Sequence, residues 1–208
     1  DQVIGDPIVL TLNSLRIGAT TNLGTEATSN LFVQGKTYLT TTLLTITPSG
    51  TITGDGGGHP EESGPGYLFD TANHDYTTTE RLGGTHGGIG GYQDNNMFGE
   101  RGSTYGDFKK PKTMGSGGQR APSLVGGAGG AAIHLNVTDT FVFDGSVSMD
   151  GTRGSSCVGQ GCVASAAGSG GSVYITTPTF AGSGTITTNG GQANRGYPYW
   201  SPHNVYGH

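Results

Sequence analysis

The segment GDGGGHPEES places Asp55, His59, Glu61 and Glu62 close together in the chain. Carboxylates around an imidazole are potential cation ligands, and an oxygen-rich set points to Ca2+. A calcium loop would carry several acidic residues at alternating positions. Here they are sparse, and a solvated loop is the competing reading. His74 and Asp75 in TANHDYTTTE are further polar candidates. His86, held between glycines in GGTHGG, reads as a hydrogen-bonding pin for glycine backbone rather than as a catalyst.

Hydrolysis of a polysaccharide needs two carboxylates facing each other across a cleft. Asp144 and Asp150, with Arg153 as the nearest base, meet Asp55 only if distant segments stack. Both aspartates also stand beside turn glycines, which gives them a structural role instead. The chain has no GxSxG, no P-loop and no GxGxxG set between a strand and a helix. A chance GxG carries no weight in so much glycine. The expectation is therefore no catalytic residue and no cofactor, with Ca2+ the one weak candidate.

Other residues point to covalent or contact chemistry. Cys157 and Cys162 flank a glycine-containing tetrapeptide in SSCVGQGCVAS. They either close a local disulfide, which suits an oxidising compartment, or remain thiols. Their spacing is wrong for a CxxC pair, and two cysteines make a poor zinc site. Asn136-Val137-Thr138 is an N-glycosylation sequon, and strand alternation turns Asn136 outward. Tyr197, Tyr199, Trp200 and Tyr206 crowd the C-terminal RGYPYWSPHNVYGH. They cap an open end, meet another subunit, or offer a platform for sugar rings.

These residues need a scaffold, and the sequence repeats one. GTITGDG (50–56), GSVSMDG (145–151) and GTITTNG (184–190) share one plan: glycine, hydroxyl, β-branched apolar, hydroxyl, variable, Asx, glycine. Longer units surround them, from Tyr38, from Ala131 and from Ser172. Ile133, Leu135 and Val137 alternate in one unit and Val173 and Ile175 in another, followed by Phe141 and Phe143 or by Phe180. Short strands with one apolar face cannot bury themselves singly, but stacked coils can. Parallel stacking sets Ile52, Val147 and Ile186 in an inward row. It sets Thr51, Ser146 and Thr185 in a hydroxyl row, and Asp55, Asp150 and Asn189 at a corner. The reading is all-β: a parallel β-helix, or β-solenoid, with few or no helices. An antiparallel sandwich is the alternative.

One elongated unit covers residues 1–208. Residues 1–47 are N-terminal strands, and IVLTLNSLRI is either an edge strand of the same coil or a strand that pairs with another subunit. Residues 55–130 are a long glycine-rich excursion, 131–192 two clear coils, and 193–208 the aromatic cap or contact. With 41 glycines in 208 residues against an ordinary ~7%, tracts such as GGTHGGIGG, GSGG and GGAGG read as ordered backbone packed against the coils. Aromatics such as Tyr67, Tyr105 and Phe108 pin them.

A net charge of −5 with scattered cations leaves no basic footprint for nucleic acid. No run of apolar residues is long enough to span a membrane, and no signal peptide is visible. A first residue of Asp1 suggests a portion of a longer product.

The combination of GGTHGGIGG, YGDFKKPKTMGSGG, GGAGGAAIHLNVTDTFVFDGSVSMDG and GSGGSVYITTPTFAGSGTITTNGG resembles a glycine-rich repeat of large secreted or surface-attached proteins of microbial eukaryotes and some bacteria. The likeness spans about residues 50 to 192. It implies an extracellular, adhesin-like or matrix-like role and transfers no catalytic residue. The expected function is an extracellular structural protein, a unit of a surface fibre, filament or adhesin stalk that self-associates into a linear polymer. A carbohydrate-binding adhesin module is the first alternative and a polysaccharide-active enzyme the second.

Overall fold

A computed structural model describes residues 7–20, 26–68, 81–93, 102–121, 123–156 and 164–192. Its strands, in chain order, are β1 (Ile8–Ile17), β2 (Ala19–Thr20), β3 (Glu26–Ala27), β4 (Ser29–Phe32), β5 (Lys36–Ile46), β6 (Gly50–Thr53) and β7 (Arg81–Leu82). They continue with β8 (Tyr92–Gln93), β9 (Ala132–Phe143), β10 (Ser146–Ser148), β11 (Ser172–Thr176), β12 (Thr179–Ala181) and β13 (Thr185–Thr187). The described chain is all-β, without a helix.

Two parallel sheets organise it. One runs β1-β5-β9-β11, with β12 also paired to β9; the other runs β4-β6-β10-β13. Both take their strands in chain order, so four successive segments each supply a rung to each sheet. Leu10, Leu39, Leu135 and Ile175 pair in one column, and Leu15, Leu44, Phe141 and Phe180 in another. Leu39, Leu135, Leu44 and Phe141 are wholly buried in the one core cluster. Each such side chain contributes about 1.5–3 kcal/mol when fully buried, which no isolated strand of this length can gather.

In the second sheet Val147 pairs with both Ile52 and Ile186. Ile52 and Val147 are buried, as the alternation predicts, whereas Ile186 is 41% exposed. The difference is positional: among the described residues β13 is the last strand of its sheet, with no rung beyond it. The hydroxyl row also forms, Ser146 Oγ donating to Thr51 Oγ1 at 3.1 Å. One irregularity interrupts the register. Thr41 faces Val137 but Leu43 faces Thr140, so β9 carries one residue more than β5 at that point, a bulge.

The corner recurs for a different reason than turn geometry. Of its three glycines, Gly56, Gly151 and Gly190, only Gly56 has a positive φ, 65°. What repeats is a side-chain cap. Asp55 Oδ1 accepts from the Asp150 amide at 2.8 Å, and Asp150 Oδ1 accepts from the Asn189 amide at 2.6 Å. Each of the two aspartates thus holds the next rung.

The glycine tracts build a second kind of order. In segment 125–130 the amides of Gly127 and Gly130 donate to the carbonyls of Ala166 and Ser169. Those of Val125 and Ala128 donate to the hydroxyls of Ser155 and Thr152, and those of Gly126 and Gly129 to Glu61 Oε2 and the His59 carbonyl. Every third amide meets the same neighbour. Segment 164–171 behaves alike: the amides of Ser165, Gly168 and Gly171 reach Ser155, Thr152 and Met149, while those of Ala166 and Ser169 reach Gln119 and Ser116. Three residues per turn with bonds only to other segments is polyproline-II-like geometry. Such chains lie close enough that a Cβ on Gly129 would collide with the Gly115 carbonyl, and one on Gly168 with that of Ala128. Close approach, rather than a left-handed dihedral, is what requires glycine here.

Candidate functional site

Three places in this scaffold concentrate polar groups or exposed apolar surface: the two ends of the strand stack, a buried polar knot in the glycine bundle, and the outward face of the first sheet.

The ends come first because parallel stacking leaves them open. At one end lie β1 and β4, at the other β11, β12 and β13. Apolar rows that are buried inside the stack continue to these edges and become exposed. Of these rows, Ile8, Leu10 and Leu12 are exposed at the first end and Phe180 and Ile186 at the second, while Val9 and Phe32, also exposed, stand on the outward faces in the columns of Tyr38 and Thr53. A groove of about 330 Å³ beside Phe32, lined also by Val33, Gln34 and the Thr53–Gly57 turn, marks the corner of the first end. The N-terminal strand is therefore an edge strand of its own stack, paired along its length with β5.

The polar knot is centred on His86. Its Nδ1 lies 2.8 Å from the Gly170 carbonyl and its Nε2 2.7 Å from Thr113 Oγ1. A carbonyl only accepts, so Nδ1 carries the proton and Nε2 accepts from the threonine hydroxyl. Burial lowers the His86 pKa below its ordinary value, against a smaller raising by the Gly170 bond. The ring packs 4.7 Å from that of Tyr105, whose hydroxyl donates to the Met114 carbonyl at 2.5 Å and meets Ser116 Oγ at 2.8 Å. Ser116 Oγ in turn accepts from the Gly66 amide, and Ser169 Oγ from the Ser116 amide. Buried hydroxyls thus satisfy amides that face no carbonyl. His86 pins glycine-rich backbone here, and every group in the knot is engaged.

On the outward face of the first sheet, Tyr38, His134 and Tyr174 share one column. Ring centroids stand 5.8 Å apart for Tyr38 and His134 and 4.6 Å for His134 and Tyr174. His134 Nε2 lies 2.8 Å from Thr176 Oγ1. Burial, and then the Lys112 charge, lower the His134 pKa. Lys112 Nζ stands 5.8 Å from the Tyr38 ring and 5.1 Å from that of Tyr174. Sequence reasoning missed this column; once the register aligns KTYLT, AIHLN and SVYIT, an aromatic or imidazole ring falls at one position of three rungs.

Of the sequence-derived candidates, the structure brings Asp55 and Asp150 together at the corner. Asp55 caps the Asp150 amide and accepts from Ser148 Oγ. Glu61 accepts from the Gly126 amide and Glu62 from that of Arg120. His59 is half-buried, its pKa lowered by burial first, then by Lys36 and His86. Among the described residues no three His, Cys, Asp or Glu side chains are grouped as metal ligands. Asp144 Oδ1 accepts from the Ser183 amide, and Arg153 donates to Gln192. Asp144 and Asp150 both hold the backbone of the following rung. Asn136 is half-buried and stands between Thr40 and Thr176. Cys157, Cys162, His74, Asp75, Tyr197, Tyr199, Trp200 and Tyr206 lie outside the described residues. Among the described residues no helix is long and apolar enough to cross a membrane.

No protein-family model matches this chain, and no curated protein or solved structure does either.

Proposed function

We propose that the chain is an extracellular structural protein, a parallel β-helix unit that stacks end to end into a linear fibre or adhesin stalk. The supporting observation is the pair of open ends. Both are edges of parallel sheets running in the same chain direction, and both expose rows that are buried between them. Among the described residues, five of the eleven exposed large hydrophobic side chains, Ile8, Leu10, Leu12, Phe180 and Ile186, belong to these rows, so the rows stay apolar where a further rung would sit. Continuing the register sets Leu10 of a second copy on Ile175 of the first, and its Leu31 on Ile186. The two surfaces differ, so the contact is head-to-tail, and continuing the strand stacking along one axis leaves a free end at each step. The resemblance of the glycine-rich segments to surface-protein repeats agrees with this role.

The test blocks one end at a time. Leu10→Lys disables the first end and Ile186→Lys the second. Both positions are already exposed, so each unfolding free energy stays within about 0.5 kcal/mol of the parent. In sedimentation velocity the parent chain grows with concentration, each variant alone stays a monomer, and the mixture stops at dimers. Polymers that persist in both variants, or a parent that never associates, would overturn the proposal.

A further inference from the structure

We propose that the outward face of the first sheet, built on Tyr38, His134, Tyr174 and Lys112, binds an acidic saccharide chain carrying carboxylate or sulfate groups. This goes beyond assembly, because it uses a side of the stack and leaves both ends free.

Charge is the first argument. The chain is acidic, with a net charge of −5, yet two of its four lysines, Lys36 and Lys112, belong to this face. Lys36 lies two residues before Tyr38 on β5 and so shares its face. Thr113 anchors the lysine loop to the sheet, its carbonyl accepting from Ser172 Oγ at 2.7 Å. Among the described residues no carboxylate forms an ion pair with Lys112. The one acid of the loop, Asp107, accepts from the amides of Lys109 and Lys110. The half-buried ammonium of Lys112 stands between two tyrosine rings, over the row rather than out in solvent.

Hydrogen-bonding surface is the second argument. Beside the ring column runs a column of Thr11, Thr40, Asn136 and Thr176, one residue from each rung. Neighbouring strands stand ~4.8 Å apart, so both columns present groups at a regular spacing that suits a chain of repeating units. Ring geometry then separates sugar from nucleic acid. His134 meets Tyr38 edge-on at 86° and Tyr174 at 31°. The rings are packed on one another, without the open platforms on which bases stack. The face offers ammonium groups, hydroxyls and an amide, which suit charged and hydroxylated sugar units.

The experiment is calorimetry on the full chain at low ionic strength. Oligogalacturonate and heparin are the probes, and uncharged dextran and poly(dT) the comparators. Both acidic saccharides bind and weaken with added salt, while dextran does not bind. Lys112→Gln lowers affinity about three- to five-fold, in line with the loss of one half-buried, still solvent-screened charge contact, and Lys112→Arg retains it. Arg153→Gln removes the same charge at the corner and changes nothing. No binding, equal binding of dextran, tighter binding of poly(dT), or equal loss in the Arg153 variant would each overturn the proposal. Sedimentation of the Lys112 variants stays at the parent value, so failure here is distinct from failure of end-to-end assembly.

Discussion

The strand stack and the glycine bundle are two solutions to the same problem of packing parallel chain segments. In the stack, side chains alternate with a period of two, and the inward set, such as Leu135, Phe141 and Val147, fills a core. In the bundle the period is three, amides bond to carbonyls and buried side-chain oxygens of other segments, and much of the contact surface is glycine itself. The first region is stabilised chiefly by apolar burial and the second chiefly by satisfied amides at close approach. They therefore differ in what breaks them. Stack positions suffer from losing atoms, bundle positions from gaining them.

The sharpest contrast comes from a matched pair. Phe141→Ala empties the centre of the core, where Phe143 and Phe180 pack on the ring. The loss expected from urea unfolding is about 3–5 kcal/mol. Gly129→Ala adds one carbon against the Gly115 carbonyl, and such overpacking costs about 1–3 kcal/mol. Hydrogen exchange distinguishes the two further. Phe141→Ala raises exchange throughout the stack, whereas Gly129→Ala raises it first in segments 57–62, 115–118 and 125–130. Equal exchange profiles would remove the distinction between the regions.

A smaller effect lies at the corner, where the two regions meet. Asp150→Ala removes the acceptor of the Asn189 amide, a loss of about 1 kcal/mol. It frays β13 and leaves β5 and β9 unchanged, while Asp150→Asn keeps an acceptor and most of the stability. Fraying that reaches β9 would mean that the rungs are less independent than their pairing suggests.

The gentlest perturbation is pH. Burial lowers the pKa of His86, His59 and His134 in the folded chain, with Lys36 adding to the effect at His59 and Lys112 at His134. Unfolded histidine titrates near about 6.5. Between the folded and unfolded values the unfolded chain binds more protons, so stability rises with pH there. The contribution is complete above about pH 6.5 and is lost as pH falls through the folded values. Urea midpoints at pH 7.5 and 5.5 measure this slope. His86→Gln flattens it, more through the bundle than through the stack.

The stack was legible in the sequence and the bundle only in part. The heptads at 50–56, 145–151 and 184–190 carry offsets of 95 and 39 residues. The pairs Ile52↔Val147 and Val147↔Ile186 realise the same offsets. Alternation and recurrent Asx are strong signals because each repeat must present the same face. Ile186 departs from burial only because a row in a single copy has an end. The rung formed by β4 carries no Asx-Gly signature, which is why SNLF was less distinct than its partners. In the tracts, Ser116, Ala128, Thr152 and Ser169 interrupt the glycines at positions with room for a side chain or with an amide to satisfy. These interruptions hide a three-residue period. The ring column was hidden for another reason: Tyr38, His134 and Tyr174 differ in type, and only the register makes them neighbours.

Electron microscopy of the concentrated protein tests end-to-end stacking most directly. The account predicts unbranched filaments with an axial repeat of roughly 19 Å, four rungs at the strand spacing of ~4.8 Å, and continuous sheets across every joint. Single particles at all concentrations, with amides of β1 and β13 exchanging as slowly as those of β9, would show that the ends are already covered and would contradict it.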